Sequence, residues 1–208
     1  MFSVSSFELN LNTKAVVFSV VSAEVVPCPS CGGVLRYRCS RLRGLRNFIG
    51  EARRILLRRF RCEKCGLTHT EIPDIIQAYK HYDSAAIQSV LDGNEDLAGC
   101  DIADSTMRRW RKTFAEAEAD LTQRLASEYA RMTDENVPLW PASRILEVIR
   151  ARHSRWLPFV MGLLINSGHK LCTRFAFCPP APACTMTSAG KNETERGATG
   201  DQSIDDTS

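Results

Sequence analysis

No stretch of the 208 residues reaches the roughly eighteen consecutive apolar side chains that a membrane span needs, so the sequence predicts a protein that stays out of the bilayer. It also lacks a glycine-rich phosphate loop opening a helix, a nucleophile elbow, and a histidine pair spaced for an open zinc site. The acidic residues are scattered and form no recognisable two-metal core. These absences argue against an enzyme. Aromatic residues make up only 8% of the chain. The most basic stretch holds just Tyr37, Phe48 and Phe60, too few for the stacking platforms that bind single-stranded nucleic acid. Nine cysteines is an odd number, and only four fall into ligand spacing, which excludes the disulfide framework of a small secreted domain and predicts a reducing, cytoplasmic setting. The run AVVFSVVSAEVV within residues 1–27 has no basic leader before it, only Lys14 against Glu8, and predicts one or two short strands instead of a signal peptide.

Against this background two cysteine pairs stand out. Cys28 and Cys31 in CPSCGG are answered by Cys62 and Cys65 in RCEKCG, each pair followed by glycine. Four thiolates from two tight turns are what a closed tetrahedral zinc site uses, and with sulfur in every position no place remains for water or substrate. The spacing predicts one structural Zn2+ and a zinc ribbon over 28–75. His69, four residues beyond Cys65, is expected at the surface or against a phosphate, because the cysteines already suffice.

Charge is small in total, +3, but unevenly placed. Residues 36–64 carry ten arginines and Lys64 against only Glu51 and Glu63. GGVLRYRC and ARRILLRRFRC read as two strands of a hairpin, joined by a basic loop, SRLRGLRNFIGE. The strand residues Arg36, Arg38, Arg54, Arg58 and Arg59, with Arg41, Arg43 and Arg46 in the loop, are candidate phosphate contacts, since guanidinium groups bind phosphate by charge and forked hydrogen bonds. A solvated face usually mixes both signs, and this one hardly does. GLTHTEIPD predicts a third strand ending at Pro73.

Beyond the ribbon the pattern changes period. Asp83 or Ser84 caps a short helix through SAAIQSVLD that Gly93 ends. Met107, Trp110, Phe114, Ala117, Leu121, Leu125, Tyr129 and Met132 then recur at steps of three and four, predicting one amphipathic helix of about seven turns over 105–132. Its first turns offer Ser105, Thr106, Arg108, Arg109, Arg111 and Lys112. Cations there oppose the helix dipole, so local stability does not account for them, whereas a DNA backbone does. The short helix, the turn and this helix read as a helix-turn-helix, with helix 105–132 reading a major groove. A further helix follows Pro141, then a nearly all-apolar helix over 154–167, and residues 178–208 are expected to be disordered.

CPSCGG, RRFRCEKCGLTHTEIPD with YKHY just after it, and DSTMRRW together resemble an uncharacterised bacterial family of small zinc-ribbon and helix-turn-helix proteins associated with mobile elements. The front half is also similar to the zinc-ribbon heads of insertion-sequence transposases. The resemblance, over roughly residues 28–177, implies double-stranded DNA binding in transposition or in control of a mobile element, with a transposase or integrase as a candidate partner. In it Cys28, Cys31, Cys62 and Cys65 match the metal positions. The expectation is therefore an α+β chain of four parts: a strand segment at 1–27, the ribbon at 28–75, a helical domain at 76–177 and a tail at 178–208. The alternative expectation is an adaptor that docks a transposase or transcription component through the ribbon and the apolar helix.

Overall fold

The computed structural model of the chain describes residues 1–94, 100–133 and 142–169. The tail expected to be disordered and the prolines Pro138 and Pro141 lie outside the described residues. The architecture is mixed α+β. Six strands come first: β1 (Phe2–Val4), β2 (Glu8–Asn12), β3 (Val17–Val21), β4 (Leu35–Arg46), β5 (Ala52–Cys62) and β6 (Thr68–Pro73). Four helices follow: α1 (Ser84–Leu91), α2 (Asp104–Thr133), α3 (Ala142–Arg152) and α4 (Trp156–Asn166).

β5 is the axis of the sheet. Along one edge it pairs antiparallel with β4 from Leu35↔Cys62 to Arg46↔Ala52. Along the other it meets β3 in parallel at Ile55 and Leu56, then β6 antiparallel from Arg59 to Arg61. β2 extends the sheet beyond β3, and β1 lies parallel to β6. Residues 1–27, set apart by sequence as a segment of their own, thus share one sheet with residues 28–75 and contribute three strands to it. The basic loop expected over 40–51 is shorter than its composition suggested, because β4 runs on to Arg46. The reason is tertiary: residues 41–46 each pair with β5, from Arg41↔Leu57 to Arg46↔Ala52, and Leu45 is buried in the sheet core.

Strand alternation puts Ile55 and Leu57 on one face of β5, where they form a compact core with Val20, Leu45, Ile72 and Ile76. A larger core lies among the helices, and α2 supplies its spine. Trp110, Phe114, Ala117, Leu121, Leu125 and Tyr129 are buried at the spacing expected of an amphipathic helix. Met132 departs from that stripe and is 51% exposed, so the buried face ends one turn earlier. α1 starts where Asp83 accepts a hydrogen bond from the Ala86 N–H, at 2.7 Å, which satisfies one of the free donors of its first turn. α4 buries Leu157, Val160 and Leu164 in the helical core, so most of its apolar surface is already used inside the chain.

Several joints lock sheet and helices together, among them an Arg155–Asp74 ion pair at 2.9 Å and the two that follow. At one, the side-chain amide of Asn166 accepts from the Ser3 N–H at 2.7 Å and donates to the Ser3 carbonyl at 2.9 Å, closing the edge of β1 as a neighbouring strand would. At the other, the tip of the β4–β5 hairpin rests on the helical unit. Phe48 packs against the helical core, its carbonyl accepts from the Asp101 N–H at 3.1 Å, and the Arg46 backbone bonds to His81 and Asp83 at 2.7 and 2.8 Å. No helix of the described residues is long and apolar enough to cross a membrane.

Candidate metal centre and basic surface

Each cysteine pair sits on a tight knuckle closed by its own backbone. The N–H groups of Cys31 and Gly32 turn back to the Cys28 carbonyl at 3.2 and 2.7 Å, and the Gly66 N–H does the same to Cys62 at 3.0 Å. Gly32 and Gly66 hold φ of 69° and 72°, a left-handed conformation in which a side chain would be strained. The first knuckle leads into β4 and the second ends β5, so the hairpin register that pairs Leu35 with Cys62 also brings the four sulfurs together. All four lie within 4.8 Å of one another, with Cys28 to Cys65 at 3.7 Å and Cys31 to Cys62 at 3.5 Å. A tetrahedral metal with sulfur at about 2.3 Å separates its ligands by about 3.8 Å, so the donor set fits a metal ion of that kind.

Proton chemistry points the same way. The Cys65 N–H directed at its sulfur holds the Cys62 thiol down at about 6. The Leu67 N–H pulls Cys65 down too, but loss of water around the sulfur and the adjacent thiols of Cys31, Cys62 and Cys28 outweigh it and push Cys65 up to about 12. One proton leaves readily and another is held to high pH, as expected of thiols too close to carry several negative charges unaided. A dication among them removes the conflict.

His69 is not at the surface. Its position opposite Phe60 in the β5–β6 register turns it toward the knuckles, where the ring is buried and Nε2 lies 3.3 Å from the Cys28 sulfur. Burial, then the charge of the chain's α-amino group, lowers its pKa from the ordinary histidine value. The spacing of four from Cys65 was the available signal, but a sequence does not say which face of β6 the ring occupies.

The structure sorts the candidate arginines into two groups. Arg41, Arg46 and Arg54 are exposed; Arg36 is exposed but paired with Glu63 at 2.9 Å, and Arg38 reaches Thr68 at 3.4 Å. Arg59 is half-buried. Arg43 and Arg58 are committed internally. The Arg43 guanidinium donates to the backbone carbonyls of Gln77 and Lys80. Arg58 grips Glu71, a carboxylate only 1% exposed, through two bonds of 2.7 and 2.6 Å and also donates to the Ser22 carbonyl at 3.0 Å. Those two are structural, which a residue count could not reveal. Conversely, Arg53, beside Glu51 at 3.6 Å, and Arg61, donating to the Gly66 carbonyl at 3.3 Å, are exposed and extend the basic face, although sequence reasoning passed over them.

Replacing Arg58 with alanine strands the buried Glu71 charge and is expected to cost about 3 kcal/mol of stability, read as a lower midpoint in urea unfolding. The paired change Arg58→Met with Glu71→Met recovers most of that loss. Equal losses in both variants would mean that the packing of the aliphatic stems, and not the charge pair, matters here.

On α2, Ser105, Arg108, Arg109 and Lys112 are exposed and Thr106 is half-buried. Arg111 instead turns back onto α1, donating to the Val90 carbonyl at 3.0 Å. α1 and α2 pack together, with Tyr82 edge-on to Trp110 at 5.4 Å, but residues 92–103 separate them. That connection has more residues than the usual helix-turn-helix turn and lies partly outside the described residues, so the motif is not confirmed. What the fold does bring together is the hairpin tip and the segment that leads into α2. The Phe48 contact is to Asp101, three residues before Asp104, so the tip of the hairpin that carries Arg46, Arg53 and Arg54 rests on the segment leading into α2.

No curated protein and no solved structure matches the chain. Residues 28–110, from the first cysteine of the centre to Trp110 in α2, match the model of a family described as a domain of unknown function (DUF6431).

Proposed function

We propose that this chain is a zinc-ribbon protein that binds double-stranded DNA, with one structural Zn2+ on Cys28, Cys31, Cys62 and Cys65, and that it serves transposition or the control of a mobile element. The observation that supports the DNA reading is the hydrogen bond from the Asp101 N–H to the Phe48 carbonyl, which sets the tip of the arginine-rich hairpin against the segment leading into α2. Arg41, Arg46, Arg53 and Arg54 from the ribbon and Arg108, Arg109 and Lys112 from α2 supply the charge; Ser105 supplies a hydroxyl. Phosphates suit this set because cations at a helix N-terminus are unfavourable without an anion opposite them. Zinc suits the four thiolates because soft sulfur ligands in a tetrahedron favour it over oxygen-seeking cations. Mobile-element association rests on the resemblance of CPSCGG, RRFRCEKCGLTHTEIPD and DSTMRRW to such proteins.

Filter binding of mixed-sequence duplexes between about 50 and 200 mM salt tests the DNA reading. Log affinity is expected to fall with log salt at about 0.9 per phosphate neutralised, giving a slope near 5 for six contacts. A flat salt response sinks it and leaves the ribbon as a protein-docking surface.

A further inference from the structure

Four thiolates around one dication leave about two negative charges on the centre, and such charge is relieved by hydrogen-bond donors outside the ligand set. Backbone amides serve two of the sulfurs here, those of Cys62 and Cys65. Cys28 has a different neighbour. His69 Nε2 stands 3.3 Å from its sulfur, at hydrogen-bonding distance, while the ring lies outside the cluster of four sulfurs.

The ring is held for this contact from both sides. β6 fixes its backbone opposite Phe60, and Nδ1 faces the Met1 nitrogen, a donor, at 3.2 Å. A ring nitrogen that faces a donor has to accept, which leaves the proton on the other nitrogen, the one directed at sulfur. Only 6% of the residue is exposed, so water does not compete for the bond.

We propose that His69 is a positioning residue of the metal centre, donating its Nε2 proton to the Cys28 thiolate. The inference rests on the zinc reading. It makes the centre asymmetric: Cys28 is buried and anchored by a side chain, whereas Cys65 is exposed. Cys28 is then shielded from electrophiles by burial and by the histidine, and the exposed Cys65 is the first to react.

The test begins with the unaltered protein loaded with cadmium, a spectroscopic substitute for zinc. Nitrogen NMR of the histidine rings is expected to find the proton of His69 on Nε2, with scalar coupling from that N–H to the metal through sulfur. A proton on Nδ1, or direct coordination of Nε2, overturns the proposal. In the zinc protein, His69→Leu is expected to weaken metal binding 10- to 100-fold in a chelator competition, and His69→Gln, which keeps an N–H donor, to restore most of it. Timed alkylation read by mass spectrometry should modify Cys65 first in the unaltered chain and bring Cys28 forward in His69→Leu. Unchanged affinity and unchanged order in His69→Leu reduce His69 to packing while the zinc reading stands. An unaltered chain that takes up no zinc removes both.

Discussion

Stripping the metal is expected to unfold the ribbon while most of the helical signal survives. The four sulfurs join two knuckles whose own hydrogen bonds are few, and the sheet core beneath them is small: Val20, Leu45, Ile55, Leu57, Ile72, Ile76 and Ala78. Structural zinc in ribbons and fingers contributes about 10–16 kcal/mol at neutral pH, which is as large as the whole stability of a typical domain. Without it, Cys62 and its neighbours also face the charge conflict that separates their proton affinities. The helices depend on this far less, because α1, α2, α3 and α4 enclose a separate core. Chelation should therefore abolish hydrogen-exchange protection across β4, β5 and β6 and leave most of the helical circular dichroism. Loss of the helical signal in the same transition would show that the Asn166–Ser3 and Phe48–Asp101 joints make one cooperative unit of the whole chain.

A second large effect is expected from alanine at Arg53, Arg54, Arg108 and Arg109 together. All four are exposed, two on the hairpin and two in the first turns of α2. If each meets a phosphate, the salt slope falls by about 3.6 and non-specific duplex binding is lost at moderate salt. Stability should barely move, since exposed side chains away from buried partners contribute within about 0.5 kcal/mol each. The contrast is with Arg43 and Arg58, whose guanidinium groups are spent on Gln77, Lys80 and Glu71. Alanine there should lower the melting point and leave the slope alone. A quadruple variant that keeps its slope would move the interface elsewhere on the ribbon, to Arg36, Arg38 or Arg61.

What was legible in the sequence and what was not divides along physical lines. The ligand spacing of Cys28, Cys31, Cys62 and Cys65 is local chemistry repeated twice, and it came through. So did the stripe from Trp110 to Tyr129, because an apolar period of 3.6 sustained over many turns is the mark of an amphipathic helix and of little else. β1 stayed hidden, since three residues carry no period and its pairing with β6 is set nearly seventy residues away. Arg58 could not be told from Arg59 by type: cross-strand alternation sends one to Glu71 and leaves the other beside Thr70. The burial of His69 escapes a sequence reading for the same reason. The helix-turn-helix expectation rested on two helices in succession and on the cations at the start of the second; α1 and α2 do pack together, and the connection between them falls partly outside the described residues, so the motif is not confirmed.

The hairpin also behaves as a ruler. β4 begins beside the metal centre at Leu35 and ends beside the approach to α2 at Arg46, and its twelve residues, at about 3.3 Å each, span about 40 Å. One turn of a DNA duplex is about 34 Å. The hairpin is therefore longer than one such turn by about 6 Å, so a single duplex lying along it would meet its two ends at different faces of the groove. Adding two residues to each strand would lengthen the ruler by about 7 Å and shift the relative phase of its two ends further.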